Sequence, residues 1–216
     1  MANKNYWEKP EEVAKQIGEE ARKGLQLINK IQKPIITIFG SAQIKEKDKY
    51  YKHCEKTAFE LGKKGYAILT GGGPGIMKAA NTGAKKAGTI SIGIRSLLIE
   101  NQREGIEDDL YTEKIDLEFM FLRRFSLYAK SKAWLFYPGG IGTLDELSEC
   151  LLLKYTGIRD QKPIICVGRK YWKGLFDWIE KKAYKNGFLM NGKEDLKLAH
   201  LVDTIEEVLE IIEGKK

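Results

Sequence analysis

From Pro34 onward, short apolar runs alternate with longer stretches in which apolar residues recur every three or four positions. Buried parallel strands read as continuous apolar runs, and the helices covering them carry one apolar stripe, so the alternation predicts repeated βα units. Strands are expected at Ile35 to Phe39, Tyr66 to Thr70, Thr89 to Ile94, Ala133 to Tyr137 and Pro163 to Val167, with shorter ones at Glu118 to Phe121 and Leu198 to Val202. Helices are expected at Lys49 to Lys64, Gly75 to Ala87, Arg123 to Lys132, Leu144 to Tyr155, Tyr171 to Lys185 and Ile205 to Ile212. The architecture that follows is a doubly wound, mostly parallel sheet in a Rossmann-like three-layer α/β/α sandwich.

Ahead of the first strand, Val13, Ile17, Ala21, Leu25 and Ile28 share one helical face. Residues 1–33 therefore read as an N-terminal helical extension and residues 34–216 as one Rossmann-like domain. The helix is expected to cover a sheet face; docking on a second subunit is the other use of such a stripe. The polar segment from Arg95 to Thr112 follows a strand. A loop closing over a ligand and a plain surface loop fit it equally well.

Composition narrows the function. The 216 residues are 43% hydrophobic and 31% charged with 5 prolines, the make-up of a globular rather than a disordered chain. No apolar run approaches the roughly 18 to 20 residues that span a bilayer, and Met1 to Asn5 lacks the apolar core of a signal peptide. The expected location is the cytoplasm, with no membrane partner. Cys54, Cys150 and Cys166 are odd in number and widely spaced, which argues against a disulfide framework or a metal site. His53 and His200 lack partners at metal-ligand spacing, so neither zinc nor a Ser-His-Asp triad is expected. With no metal or cofactor expected, chemistry falls to Arg, Asp, Glu, Ser, Thr and backbone groups. The net charge of +7 comes from scattered lysines and arginines without interleaved aromatics, so no nucleic-acid partner is expected. A positive field still favours a small anionic substrate.

Three glycine-rich turns follow predicted strands: Gly40-Ser41-Ala42, Gly71-Gly72-Gly73-Pro74-Gly75-Ile76-Met77, and Pro138-Gly139-Gly140-Ile141-Gly142-Thr143. In an open parallel sheet, ligands collect at the carboxyl ends of strands, where glycine lets a phosphate reach backbone N–H groups at a helix N-terminus. A dinucleotide site is the competing reading. Its fingerprint needs a small residue where Ile76 stands and belongs to the first βα unit, and no hydride-transfer site is evident. Arg95, at the end of the next strand, would be the 2′-phosphate partner in that reading. Arg123-Arg124 opens a predicted helix fifteen residues ahead of Pro138, which brings an arginine within reach of Glu146 in the first turns of the predicted helix Leu144 to Tyr155. A surface arginine pair fits that spacing equally well, and Asp145 is available to cap the helix. A carboxylate beside a bound phosphosugar suits glycosidic chemistry, whose oxocarbenium-like transition state a negative charge stabilises.

The Gly71 to Met77 turn together with Pro138-Gly139-Gly140-x-Gly142-Thr143-x-x-Glu146 resembles the Lonely Guy family, a Rossmann-like group once described as lysine decarboxylases. The resemblance runs from about Ile35 to Val202 and is nearest to the longer bacterial members. It implies a cytokinin riboside 5′-monophosphate phosphoribohydrolase, which releases the free base from a nucleoside monophosphate, and it implies a homodimer or a higher homo-oligomer. It places the catalytic pair on Arg123 and Glu146 and the substrate contacts on Ser41, Gly72, Gly73, Met77, Gly139, Gly140, Gly142 and Thr143. This chain departs from the family in having Asp145-Glu146 for a Glu-Glu pair, Arg123-Arg124 for Arg-Lys, Met120-Phe121-Leu122 before that pair, and Gln43 where relatives often carry arginine. Those departures leave the catalytic pair in place and the identity of the base open. The rival from another class is a non-catalytic nucleotide sensor or molybdenum-cofactor carrier, which would keep the glycine turns without needing Arg123 and Glu146 together.

Overall fold

The computed structural model describes residues 8–98, 108–157 and 162–215. Helix α1 (Pro10–Lys30) precedes β1 (Ile35–Phe39), α2 (Lys49–Lys63), β2 (Ala67–Thr70), α3 (Ile76–Lys86) and β3 (Ser91–Ser96). After a 3-10 turn at Asp108–Leu110 come β4 (Glu113–Leu117), α4 (Met120–Tyr128), β5 (Ser131–Phe136), α5 (Ile141–Tyr155), β6 (Ile164–Val167), α6 (Arg169–Trp178), β7 (Ala199–Val202) and α7 (Ile205–Ile212). The seven strands form one sheet in the order β4-β3-β2-β1-β5-β6-β7, and every pairing is parallel. The chain winds outward from β1 to β4, returns to the centre, and winds outward again from β5 to β7. The direction reverses between β1 and β5, which is where this class of sheet opens a crevice.

Strand side chains alternate between two cores. Ile36, Ile38, Ile68, Ala133, Leu135 and Ile165 meet α2, α3 and α7 on one face. Ile35, Phe39, Leu69, Trp134, Phe136 and Ile164 meet α1, α4, α5 and α6 on the other. The α/β/α sandwich read from the apolar pattern is therefore the fold, with both sheet faces covered. Within the second core, the rings of Phe39 and Phe136 stack at 4.7 Å between centroids, tying β1 to β5 at the reversal point. From the N-terminal segment, Leu27, Ile28 and Ile31 join this core.

Two expected elements shift. Glu118 to Phe121 is not a strand; β4 ends at Leu117 and α4 begins at Met120, a turn ahead of the expected start at Arg123. The cause is a contact distant in sequence. The buried carboxylate of Glu20 on α1 accepts from the backbone N–H of Glu118 at 3.0 and 3.1 Å and from that of Phe119 at 3.1 Å. The carboxylate thus takes up the two N–H groups at the entry to α4, which are therefore not rungs of a sheet. At its other end α4 stops at Tyr128 because Ser131 enters β5, whose residues pair with β1. The predicted helix from Tyr171 to Lys185 is α-helical only to Trp178 and continues as a wider π turn from Ile179 to Tyr184. Residues 99–107, half of the polar segment from Arg95 to Thr112, lie outside the described residues, while Arg95 and Ser96 belong to β3.

Helix α1 also approaches α4 closely at Gly24, where a Cβ would fall against Ser126. Replacing Glu20 with Ala leaves two N–H groups at the start of α4 without their charged acceptor. The expected cost is about 1–3 kcal/mol of stability. Thermal denaturation of the full chain measures it, and an unchanged melting temperature would show that Glu20 does not hold α4.

Candidate functional site

The reversal point opens a cavity of about 250 Å³, near the low end of the roughly 300–1,000 Å³ typical of small-molecule sites. Its walls come from the end of β1 and the following turn (Phe39, Gly40, Ser41, Gln43), from Gly71 and Met77 around the turn after β2, from Met120, Arg123 and Arg124 on α4, and from Gly140, Gly142, Thr143, Asp145 and Glu146. Three of the four segments follow β2, β1 and β5, which are neighbours in the sheet, and the fourth, α4, returns from the edge strand β4 to lie beside them.

Arg123 is 5% exposed. Its Nε donates to the carbonyl of Ile94 in β3 at 2.9 Å and its Nη2 to the carbonyl of Gly71 just after β2 at 3.2 Å, so two backbone carbonyls grip the guanidinium. Nη1 remains and lies 3.6 Å from Glu146 Oε1, an ion pair too long for a good hydrogen bond. Gly71 is a site residue that motif reading passed over. A Cβ there would overlap the guanidinium itself, so only glycine leaves room for Arg123.

Burial pushes the Glu146 carboxyl up from its ordinary 4.5 to about 7; Arg123 draws it down, Asp145 pushes it up, and the desolvation prevails. Burial also pulls Arg123 down, with Glu146 opposing. The pair is thus held in a place that disfavours both charges, as at sites where stability yields to chemistry. A group titrating near neutrality is suited to taking up or giving a proton.

Arg124, the neighbour in sequence, faces the other way along α5. It contacts Asp145 at 3.0 Å and Glu149 at 2.9 Å. Asp145 is therefore an ion-pair partner in the second turn rather than the helix cap; the cap position is Gly140, which offers no side-chain acceptor. The first helical turn of α5 leaves its N–H groups without intrahelical acceptors, and Gly140, Gly142 and Thr143 bring that turn to the cavity wall. Glu146 falls one turn further along, where the helix dipole is weak, so burial dominates its titration.

Of the residues expected to touch substrate, Ser41, Met77, Gly140, Gly142 and Thr143 line the cavity beside Arg123 and Glu146. Gly72, Gly73 and Gly139 stand outside its lining. Gly72 has φ +64° and gives its N–H to Thr70 Oγ1 at 2.9 Å; Thr70 in turn donates to Asn81, and Asn81 to Ser91. That buried chain shapes the turn from below. Gly139 is pressed against Thr143 and Ser41 and gives its carbonyl to the Tyr171 hydroxyl. Arg95, the residue the dinucleotide reading required, forms a bidentate pair with Asp116 at 2.7 and 2.9 Å and a contact with Asp108 at 3.0 Å, which occupies its donors. Among the described residues, no group of three or more His, Cys, Asp or Glu is arranged to hold a metal ion, and no helix is long and apolar enough to cross a membrane.

The profile of the family described as "possible lysine decarboxylase" matches residues 77–212. A cytokinin riboside 5′-monophosphate phosphoribohydrolase from Mycobacterium marinum is 23% identical over 151 residues, covering 69% of this chain and 78% of the relative. Its namesake from Mycobacterium tuberculosis is 33% identical over 131 residues, 60% of this chain and 65% of the relative. Among solved structures, the molybdenum cofactor binding protein of Rippkaea orientalis superposes with a TM-score of 0.60 at 23% identity, covering 86% of this chain and 98% of that one. At that identity the superposition speaks for the fold alone. The profile begins at Met77, yet the turns at Ser41 and Gly71, upstream of it, close the same cavity.

Because the Glu146 pKa is raised on folding, the folded chain favours the protonated form. Its contribution to stability is full below about pH 4.5 and is lost as pH rises through about 7. Glu146→Gln mimics the neutral form and is expected to be the more stable protein at pH 8, by up to about 3 kcal/mol, with the two converging below pH 4.5. Melting curves at pH 4 and pH 8 test this; equal stability at pH 8 would mean that the carboxylate is not strained.

Proposed function

This chain belongs to the Lonely Guy family, whose profile carries the description "possible lysine decarboxylase", and on that premise we propose that it hydrolyses the N-glycosidic bond of a purine nucleoside 5′-monophosphate. The products are the free base and ribose 5-phosphate, with AMP or a cytokinin riboside 5′-monophosphate as substrate. One observation carries the reading: a buried arginine–glutamate pair, its carboxyl titrating near 7, shares a cavity with the uncapped N-terminus of α5.

In this reading the N–H groups at the start of α5 bind the 5′-phosphate, with Ser41 and Thr143 beside them. The ribose then lies over Glu146. As the C1′–N bond breaks, the bonding electrons leave with the base and positive charge develops on the ribose, where the Glu146 carboxylate stabilises it. Water adds to C1′ and gives up a proton to Glu146; the departing base nitrogen takes one proton from solvent and Glu146 returns its own to solvent, so one water is consumed and the carboxylate is restored. Arg123, with two nitrogens locked to carbonyls, uses Nη1 to keep Glu146 ionised at the moment it is needed. Gln43, Met77 and Met120, on the cavity wall, are the side chains available to select the base.

A pyridoxal-dependent decarboxylase, the chemistry in the family's older description, holds its cofactor on a lysine. The cavity lining contains no lysine, so the residues present do not fit that group. The proposal includes a homodimer, supported by Phe121 and Phe125, which lie exposed on the same stretch of α4 as Arg124, and by exposed Ile141 at the start of α5.

Release of base and ribose 5-phosphate across a panel of nucleoside monophosphates, with nucleosides and triphosphates as controls, tests the reading. The wild-type rate is expected to rise with pH around 7, since the carboxylate is the active form. Glu146→Gln should lower kcat by about 100-fold or more with a much smaller change in KM, and should abolish that pH limb. No release from any monophosphate would favour the binding-protein reading, and wild-type turnover in Glu146→Gln would remove Glu146 from the mechanism.

A further inference from the structure

The turn between β5 and α5 contains two adjacent glycines, Gly139 and Gly140. A peptide flanked by glycines on both sides has little steric resistance to flipping, because neither residue carries a Cβ. Its carbonyl and N–H point in opposite directions across the trans plane, so a flip would turn the Gly140 N–H away from wherever it is aimed. The structure restrains this unit from outside. The preceding carbonyl, that of Pro138, accepts from the Ser41 N–H at 3.0 Å. The Gly139 carbonyl accepts from the hydroxyl of Tyr171 on α6.

Tyr171 is itself held. Its N–H donates to the Gly168 carbonyl at 2.9 Å, and its ring meets the buried Trp172 ring edge-on at 4.9 Å between centroids. The indole N–H of Trp172 donates to the Val167 carbonyl at 3.1 Å, at the end of β6. A rigid path thus runs from the neighbouring strand to the one carbonyl whose direction decides where the Gly140 N–H points. Gly140 lies on the cavity wall, whereas Tyr171 does not.

We infer that Tyr171 is a positioning residue: its hydroxyl holds the Gly139–Gly140 peptide in the orientation that presents the Gly140 N–H to the substrate phosphate. The inference rests on the phosphate-binding reading of the α5 turn given above. It assigns Tyr171 to affinity for the phosphate end of the ligand, and not to bond cleavage or to recognition of the base.

The test compares the full chain with Tyr171→Phe, which keeps the ring packing and removes only the donor. Tyr171 is 45% exposed, so the variant is expected to fold with an unchanged melting temperature. Affinity for ribose 5-phosphate, measured by calorimetry, should fall about five- to tenfold, the usual worth of one hydrogen bond. KM for the nucleoside monophosphate should rise by the same factor, with kcat within about twofold and adenine binding unchanged. A ribose 5-phosphate affinity within twofold of wild type, or an equal loss for adenine, would overturn the inference while leaving the phosphate reading intact. The wild type supplies a measurement independent of the variant. With ¹⁵N-glycine labelling, the Gly140 amide resonance should move on saturation with ribose 5-phosphate, and an unmoved resonance overturns the inference. A wild type that binds neither ribose 5-phosphate nor any nucleoside monophosphate would overturn the phosphate reading and this inference together, and is recognised before any variant is made.

Discussion

Arg123 carries its charge into a space where only 5% of the residue meets solvent, and a cation there requires acceptors that cannot move away. The acceptors are the carbonyls of Ile94 within β3 and of Gly71 just after β2, and the carboxylate of Glu146 on α5. A guanidinium presents donors in a rigid plane, so gripping it on two edges sets the direction of the third. That geometry requires β2, β3, α4 and α5 to be in register with one another. It also requires glycine at position 71, since any side chain there would occupy the space of the cation. The cavity is in this sense built around one side chain.

The helix that delivers Arg123 is positioned from the opposite direction. The Glu20 carboxylate on α1 takes up the N–H groups at the entry to α4, and Gly24 lets the two helices approach. The N-terminal helix thus does more than cover apolar surface: it fixes the start of the helix on which both arginines ride. The two arginines then diverge. Arg124 pairs with Asp145 and Glu149 at the rim, where water screens the charges. Arg123 pairs with Glu146 inside, where burial pushes the carboxyl toward neutrality. Identical residue types one position apart serve different ends because a helix turns adjacent side chains about 100° apart.

Much of the site was legible in the sequence because it is written in local chemistry. A glycine turn after an apolar run marks a strand end, and Gly140, Gly142 and Thr143 mark a helix start, which the fold brings to the cavity wall. The expectation that an arginine reaches Glu146 is met by Arg123, whose Nη1 lies 3.6 Å from the carboxylate. Other glycines owe their places to the turn itself: the Gly72 N–H is given to Thr70, and the Gly139 carbonyl accepts from Tyr171, so neither glycine lines the cavity. Gly71, whose missing side chain accommodates a guanidinium from fifty-two residues away, was read as part of a turn and not as a site residue.

By itself the sequence determined the βα order, the helices with one apolar stripe, the glycine turns and the residue types available for chemistry. Each of these depends on interactions between near neighbours in the chain. Only the tertiary structure decided that the strands run 4-3-2-1-5-6-7, that Glu20 binds the backbone at Glu118 and Phe119 where the sequence reads as a strand, and that Arg123 rather than Arg124 turns inward. Those outcomes depend on which distant groups meet, and on the desolvation they undergo when they do. A carboxyl titrating near 7 is a property of a place, and the place exists only once the sheet has brought four segments together.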